Sequence, residues 1–318
     1  MSRLSYDSVE ALIYDPVSSN RTATRSALYS LGFRLTETVS TLDTMIEAIR
    51  KRPPDIVLCE AQGADEELCA VIQQLRQGGA GDNPFIVIIA TAWEKSTGLI
   101  NRMVNSGADD LLLRPFSTTL LGQRIEAHIE RRKGFVITTD YVGPDRRKDE
   151  SRGGATANIF LPPNSLKMKA KEKLPSDAIA KKLGAELKVA REKLHHEKLR
   201  RDAFQLCILW RLMQDQRVGQ PVVQGDLDKL AELARSIERR CRETEFHAVV
   251  EWCDSVRAAT EGLESGVDRN ASMHLLGHAA LQTYQIFDPD RSPGDRLSEI
   301  DATVAIIRAK NSQTALAS

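Results

Sequence analysis

Pro54-Asp55-Ile56-Val57-Leu58-Cys59-Glu60 is the stretch that decides the fold of the first half of this chain. Ile56, Val57 and Leu58 form an unbroken apolar run with two β-branched residues, which is typical of a parallel strand covered by helices on both faces. Pro54 marks the start of the run, and Glu60 stands at its carboxyl end. Because ligands and chemistry gather at the carboxyl ends of strands in open α/β sheets, Glu60 is a candidate functional residue. A solvated glutamate at a strand end is the plainer interpretation.

Four more short apolar runs repeat this pattern of a strand followed by a helix. They lie at residues 9–15, 33–39, 85–90 and 110–113. Five strand–helix units in residues 8–133 predict one doubly wound α/β domain, with a parallel five-stranded sheet and right-handed crossovers that cover both faces.

Composition narrows the class of protein. The chain has 318 residues, of which 42% are hydrophobic, and its 44 basic residues balance 44 acidic ones. A net charge of zero argues against nucleic acid and anionic lipid as partners. No apolar run reaches the ~20 residues that span a bilayer, and no signal sequence precedes the first strand. The five cysteines show no CxxC spacing, so we expect reduced thiols and a cytoplasmic location.

The residues around the predicted sheet edge resemble a response-regulator receiver domain of the CheY-like type. The matching features are Asp15 after the first strand, the strand 54–60, Thr91 after the fourth strand, and Gly-Ala-Asp-Asp-Leu-Leu-Leu-Arg-Pro-Phe at 107–116. The resemblance implies the strand order 2-1-3-4-5. It also implies a family chemistry in which two acids and an aspartate hold Mg²⁺ and the aspartate accepts a phosphoryl group. A Thr or Ser and a Lys contact that group, and an aromatic on the fifth strand responds.

This sequence departs from the family pattern at most of those positions, and only Asp15 and Thr91 match outright. In place of the first metal-binding acid, the phosphoacceptor aspartate, the lysine and the mobile aromatic stand Tyr14, Glu60, Arg114 and Leu111, respectively.

These departures predict a pocket that has lost its chemistry. Phosphoryl transfer depends on positioning, and Glu60 is one methylene longer than aspartate. Asp15 alone is a weak candidate metal ligand, so we expect no cofactor, with Mg²⁺ as the doubtful exception. The planar guanidinium of Arg114 matches a carboxylate better than an ammonium does. We therefore expect Glu60 to pair with Arg114 and to accept a hydrogen bond from Thr91. We therefore expect the receiver-like domain to be fixed in one state. That state is either active-like, or the domain is a degenerate scaffold that corresponds to neither the active nor the inactive state of the family.

Residues 134–175 read as a linker that is largely disordered, since they are rich in Gly, Ser, Asn, Pro and Lys. A turn near its start ends in Arg146 and Arg147, which are candidates for docking to a partner or for packing back on the receiver-like domain. With Arg152 they invite comparison with the RxxxR motif of PilZ domains, but the spacing is off by one or more.

Residues 176–312 predict an all-α bundle with a long leading helix, whose first half projects or pairs as a coiled coil. Four more helical patterns follow at 227–242, 246–263, 271–287 and 297–309, joined by connectors short enough for antiparallel neighbours. The predicted core residues are Trp210, Phe246, Trp252, Leu276 and Ile306.

His274 and His278 are four residues apart on one predicted helix. This is the spacing of a metal-binding pair, but no third ligand is evident in the sequence. The run His274-Leu275-Leu276-Gly277 matches a histidine phosphotransfer module only at one leucine. Ordinary polar histidines are the simplest interpretation.

The sequence therefore predicts a cytoplasmic signal-transduction protein and not an enzyme. In it, a degenerate pseudo-receiver and a helical domain act through protein–protein interaction. The expected partners are signalling proteins such as a histidine kinase or another regulator, with a homodimer through the helical domain as a further expectation. The alternative is a phosphorylatable two-component response regulator with a helical output or phosphotransfer domain.

Overall fold

The computed structural model describes residues 4–63, 65–138, 140–146, 159–172, 174–214, 223–242 and 244–317. The chain divides into two compact units, unit 1 (Met1–Leu194) and unit 2 (His195–Ser318). Among the helices in these ranges, none combines the length and the apolarity needed to cross a bilayer.

Unit 1 is built on a parallel sheet of five strands. The strands are β1 (Glu10–Tyr14), β2 (Leu35–Val39), β3 (Ile56–Glu60), β4 (Val87–Ala92) and β5 (Asp110–Leu113). Their order across the sheet is β2-β1-β3-β4-β5, and each neighbouring pair is parallel. The predicted fold class and strand order are confirmed. Every residue of β3 is buried, as the apolar run predicted for a central strand.

Five helices cover the two faces of this sheet. They are α1 (Ser18–Leu31), α2 (Leu42–Lys51), α3 (Asp65–Arg76), α4 (Thr97–Ser106) and α5 (Thr118–Arg131). One apolar cluster lies under α2, α3 and α4, and a second lies under α1 and α5. Alternate residues of β3 feed each cluster, which is why its sequence is apolar throughout.

Residues 134–175 differ from the predicted disordered linker. Their described part forms a hairpin of β6 (Phe135–Ile137) and β7 (Val142–Pro144) and the short helix α6 (Ser165–Lys171). Phe135, Val142 and Phe160 are buried together with Phe85, which gives the segment an apolar core of its own. The hairpin also lies close to the α4–β5 turn, since a Cβ on Gly143 would lie 2.8 Å from the Cα of Gly107. The prediction failed because these aromatics are scattered along the sequence and produce no local periodicity.

A buried cluster of charges ties this extension to the sheet. Asp109 precedes β5 and accepts hydrogen bonds from Arg76 (2.7 Å), from Arg132 (2.9 Å) and from the backbone N–H of Ile88 (2.9 Å). Both guanidiniums stack near the Phe135 ring, at 5.2 and 5.0 Å from its centroid. Burial raises the pKa of Asp109, but Arg132 and Arg76 lower it more, so its pKa lies below the usual value.

Unit 2 takes up the second part of the longest helix, α7 (Ser176–Gln214), and four further helices. These are α8 (Gln224–Cys241), α9 (Val249–Ser265), α10 (Arg269–Phe287) and α11 (Pro293–Ala317). The unit boundary lies inside α7 and not at residue 176, because Ala190 and Leu194 pack with Phe85 and Phe160 of unit 1. In this part of α7, the apolar residues that suggested a coiled coil are therefore covered by Phe85 and Phe160 of the same unit.

The core of unit 2 contains Leu276 as predicted, and Trp210, Phe246 and Trp252 pack partly buried against it. Ile306 is 49% exposed, and Ile300 and Val304 take the inward positions of α11 instead. Ile307 also packs against this core, so the prediction chose the neighbouring isoleucine on the outward face.

We expect Asp109→Ala to lower the free energy of unfolding of unit 1 by about 3–5 kcal/mol at neutral pH, because two guanidiniums lose their shared buried carboxylate. The contribution of Asp109 should be complete above pH ~4 and should disappear as the pH falls through its lowered folded pKa. The measurement is denaturation of the full chain labelled with fluorotryptophan, followed by fluorine NMR. The unfolding of each unit is then observed separately, because Trp93 lies in unit 1 and Trp210 and Trp252 lie in unit 2.

Asp65→Ala is the matched control for this experiment. It removes an exposed ion pair with Arg102 and should change stability by less than about 1 kcal/mol. Equal effects of the two substitutions would contradict a structural role for the Asp109 cluster.

We expect Gly277→Ala to destabilise unit 2 by about 1–3 kcal/mol, because a Cβ at this position would overlap the Trp210 ring. Gly225→Ala is the control, since nothing lies within 4 Å of its Cβ position, and a helical alanine is favoured by up to about 1 kcal/mol over glycine. The Trp210 and Trp252 resonances report both changes, and a neutral Gly277→Ala would refute the close packing.

Candidate functional site

The carboxyl edge of the sheet brings four of the predicted pocket residues together. Glu60 ends β3 and lies opposite Thr91 of β4 in the strand register. Asp15 directly follows β1, and Arg114 directly follows β5. Because parallel strands end at one edge, residues far apart in sequence meet there.

Glu60 is buried, and each of its carboxylate oxygens accepts hydrogen bonds. Its Oε2 accepts from the Thr91 hydroxyl (2.8 Å) and from Nε of Arg114 (2.8 Å). Its Oε1 accepts from the backbone N–H of Gln62 (3.1 Å). The sequence-based expectation named the first two contacts, and the structure places both.

Arg114 joins Glu60 to a second acid and to helix α1. Its Nη2 lies 3.2 Å from Oδ2 of Asp15 and 3.1 Å from the hydroxyl of Thr24. The guanidinium also lies 4.9 Å from the ring centroid of Phe116. One guanidinium therefore connects the ends of β1, β3 and β5 with the inner face of α1.

Thr24 is a site residue that the sequence analysis missed. It is buried on α1 together with Leu28, four residues later on the same face. A polar residue on the inward stripe of an amphipathic helix was the available signal, because such a hydroxyl needs a hydrogen-bond partner when it is buried.

Asp15 is held by α1 as well as by Arg114. Its Oδ1 accepts from the backbone N–H of Val17 (2.8 Å), and the amide of Asn20 lies 3.5 Å away. Arg21 donates to the backbone carbonyl of Asp15 (2.6 Å). Both oxygens of the Asp15 carboxylate are thus engaged by the chain itself.

Tyr14 is buried in the core and makes no hydrogen bond to the ion pairs among the described contacts. Its side chain belongs to the apolar cluster under α2, α3 and α4. Burial raises the pKa of Tyr14, and the neighbouring Cys59, Asp15 and Glu60 raise it further. A protonated phenol is a poor replacement for a metal-binding carboxylate.

The residues at this edge do not fit a Mg²⁺ ion. Mg²⁺ needs octahedral oxygen ligands at about 2.0–2.1 Å. The carboxylates of Asp15 and Glu60 instead share the guanidinium of Arg114, which occupies the space between them and offsets one of their two negative charges. Across the described residues, no group of three or more His, Cys, Asp or Glu side chains is placed to hold a metal ion.

The remaining candidate residues lie elsewhere. Nη2 of Arg146 donates to the backbone carbonyl of Asp109 (2.9 Å), so this guanidinium is bound within unit 1. Arg147 lies outside the described residues. His274 and His278 are exposed on α10, and His278 packs edge-on against Trp252 at 5.2 Å.

We expect Arg114→Met to lower the free energy of unfolding of unit 1 by about 3–5 kcal/mol at pH 7, because two buried carboxylates lose their shared cation. Mg²⁺ should stabilise this variant and leave the natural chain unchanged. Fluorotryptophan NMR at Trp93 measures both effects.

Arg52→Met serves as the control, since Arg52 is largely exposed in its pair with Glu10 and should contribute less than about 1 kcal/mol. Stabilisation of the natural chain by Mg²⁺ would contradict our interpretation of the pocket.

No protein-family model and no curated protein matches this chain. Solved structures do match it. It is similar to Vibrio cholerae chemotaxis protein CheY4, with 18% identity over 37% of this chain and 96% of that chain and a TM-score of 0.34. It is also similar to a response regulator from Thermotoga maritima (22% identity, 37% of this chain, 95% of that chain, TM-score 0.33). A CheY-like receiver domain protein from Methanospirillum hungatei matches at 18% identity (39% of this chain, 97% of that chain, TM-score 0.35). The matched structures are CheY-like receiver domains and cover the N-terminal part of the chain.

Proposed function

We propose that this chain is a signal-transduction protein whose unit 1 is a pseudo-receiver that does not accept a phosphoryl group. The doubly wound fold with the order 2-1-3-4-5 supports a signalling role of the receiver type. In this proposal the chain is not an enzyme, needs no cofactor, and acts through protein–protein contacts of the receiver-type unit and the helical unit.

The observation that carries the proposal is the guanidinium of Arg114 between Asp15 and Glu60, at 3.2 and 2.8 Å. In-line phosphoryl transfer needs a free carboxylate oxygen and a cation that can neutralise the phosphoryl oxygens. Here the oxygen of Glu60 nearest to Thr91 already accepts two hydrogen bonds. A phosphoryl donor would have to break a buried ion pair before it could react.

The same contacts support a unit that is held in one state. The Thr91 hydroxyl donates to Glu60, and Arg114 donates to the Thr24 hydroxyl on α1, so the chain's own side chains hold Thr91 and α1 in place. Partners that bind such a unit would do so constitutively. We expect them to be cytoplasmic signalling proteins, such as a histidine kinase or another regulator, with self-association through the helical unit as a second possibility.

The alternative is a response regulator that is still phosphorylated. One observation favours it: Asp15 and Thr91 match the family pattern, and the Thr91 hydroxyl lies 2.8 Å from the acid that would be modified. Under this alternative, Glu60 itself becomes the acyl phosphate.

Incubation of the full chain with acetyl phosphate and Mg²⁺, followed by mass spectrometry of the intact protein, separates the two. We expect no phosphoryl adduct on the natural chain and no change of the Trp93 signal with beryllofluoride. The variant Tyr14→Asp/Glu60→Asp/Arg114→Lys restores the family residues and serves as the positive control. A stoichiometric, hydroxylamine-labile adduct on Glu60 of the natural chain would overturn the pseudo-receiver proposal.

A further inference from the structure

A groove lies in unit 1 between α6 and the first part of α7, with a volume of about 780 Å³. We name it the α6–α7 groove and define it by the six residues that matter most for binding: Phe160, Leu161, Lys167, Met168, Val189 and Lys193. Phe160 and Met168 are buried and form an apolar floor. The volume falls in the range of about 300–1,000 Å³ that is usual for specific binding sites.

Two aliphatic side chains at the groove stand out in solvent. Leu161 is 80% exposed, and Val189 is 66% exposed. Leu161 is followed by Pro162 and Pro163, whose rings fix the backbone and hold the leucine in position. Because the prolines restrict the backbone at Leu161, docking of a partner on this leucine costs less backbone entropy than on a freely moving loop, which suits the role of an anchor.

The free charges of the groove are predominantly positive. Its lining residues Glu130 and Glu172 are paired with Lys171 (2.7 Å) and Lys182 (2.8 Å). Within the described part of the chain, Lys167 and Lys193 form no ion pair, and Nζ of Lys193 lies 5.5 Å from the Phe160 ring centroid. Glu130 lies near Lys167 as well as Lys171, and Glu186 lies near Lys182, so Lys193 is the lysine of the groove whose charge is least offset. Lysines therefore stand on both the α6 side and the α7 side of an apolar floor.

The exposure of Leu161 and Val189 sets what an occupant must supply. A partner that covers these two side chains must bring an apolar surface of its own, since burying apolar area is what stabilises such a contact.

We propose that the α6–α7 groove binds an amphipathic helix of another protein that carries acidic residues beside its apolar face. The apolar face covers Leu161 and Val189, and the acidic flanks meet Lys167 and Lys193. Laying an apolar helix face into a hydrophobic groove is a common mode of peptide recognition, and flanking charges select the partner. This docking site does not depend on the chemistry of Glu60, so its test is independent of the pseudo-receiver proposal.

The test uses the full chain and two labelled synthetic helical peptides. Both carry the same leucine stripe, and one has glutamates while the other has lysines beside it. We expect fluorescence anisotropy to show the acidic peptide binding at least about tenfold more tightly at low salt, with the difference shrinking as salt screens the charges. The double variant Lys167→Glu/Lys193→Glu should reverse the preference.

Leu161→Asp and Val189→Asp should each abolish most of the binding, and both positions are exposed enough for the fold to tolerate them. Val267→Asp is the matched control, since Val267 is 87% exposed in unit 2 and should leave binding unchanged. Equal binding of the two peptides, or full binding by Leu161→Asp, would overturn the proposal. So would a dimer in sedimentation equilibrium that Leu161→Asp dissociates, because the groove would then be an interface between copies of this chain.

Discussion

The ion pairs of Arg114 with Asp15 and Glu60 are the contact on which the functional edge of unit 1 depends. Removing these charges from water costs several kcal/mol, and a buried ion pair adds little net stability over apolar residues of the same size. Losing one partner alone is expensive, because a charge then stays buried without compensation. The arrangement therefore stabilises one geometry against alternatives more than it stabilises the fold as a whole. Arg114 offsets one of the two negative charges that Asp15 and Glu60 bring to the strand ends.

Asp109, with the guanidiniums of Arg76 and Arg132, fixes the start of β5, the strand whose end is followed by Arg114. Asp109 lies just before β5 and Arg114 just after it. Before β5, Arg76 and Arg132 bind Asp109 and lie near the Phe135 ring of the β6–β7 hairpin. After β5, Arg114 donates a hydrogen bond to Thr24 of α1. An edge strand with only one neighbour in the sheet is thus fixed at both ends by charge. These charged contacts hold the strand ends of β5, in which Leu112 is the one fully buried residue.

The sequence was informative wherever the pattern was local or followed from topology. The apolar run before Glu60 predicted a central strand. Because parallel strands end at the same edge of the sheet, Asp15, Thr91 and Arg114 were then expected to lie near Glu60. Thr24 was not predicted, because a buried hydroxyl on a helix reveals its partner only in three dimensions. The hairpin after residue 134 was predicted to be linker, since Phe135 and Phe160 pack together although they lie 25 residues apart in sequence and leave no periodic signal. Arg146 was a candidate for docking to a partner or for packing back on the receiver-like domain, and the structure shows the second arrangement, since its guanidinium donates to the backbone carbonyl of Asp109.

Two of the departures from the receiver pattern are best understood as one change. Arg114 uses Nε for Glu60 and Nη2 for Asp15 and Thr24, so that separate edges of one rigid plane serve three acceptors. An ammonium on a flexible stem is a single point of charge and has no such plane. An aspartate at residue 60 would be one methylene shorter and would draw its oxygen back from Nε. The longer acid and the guanidinium therefore require each other, and restoring either family residue alone would leave a buried charge poorly paired and no phosphate site.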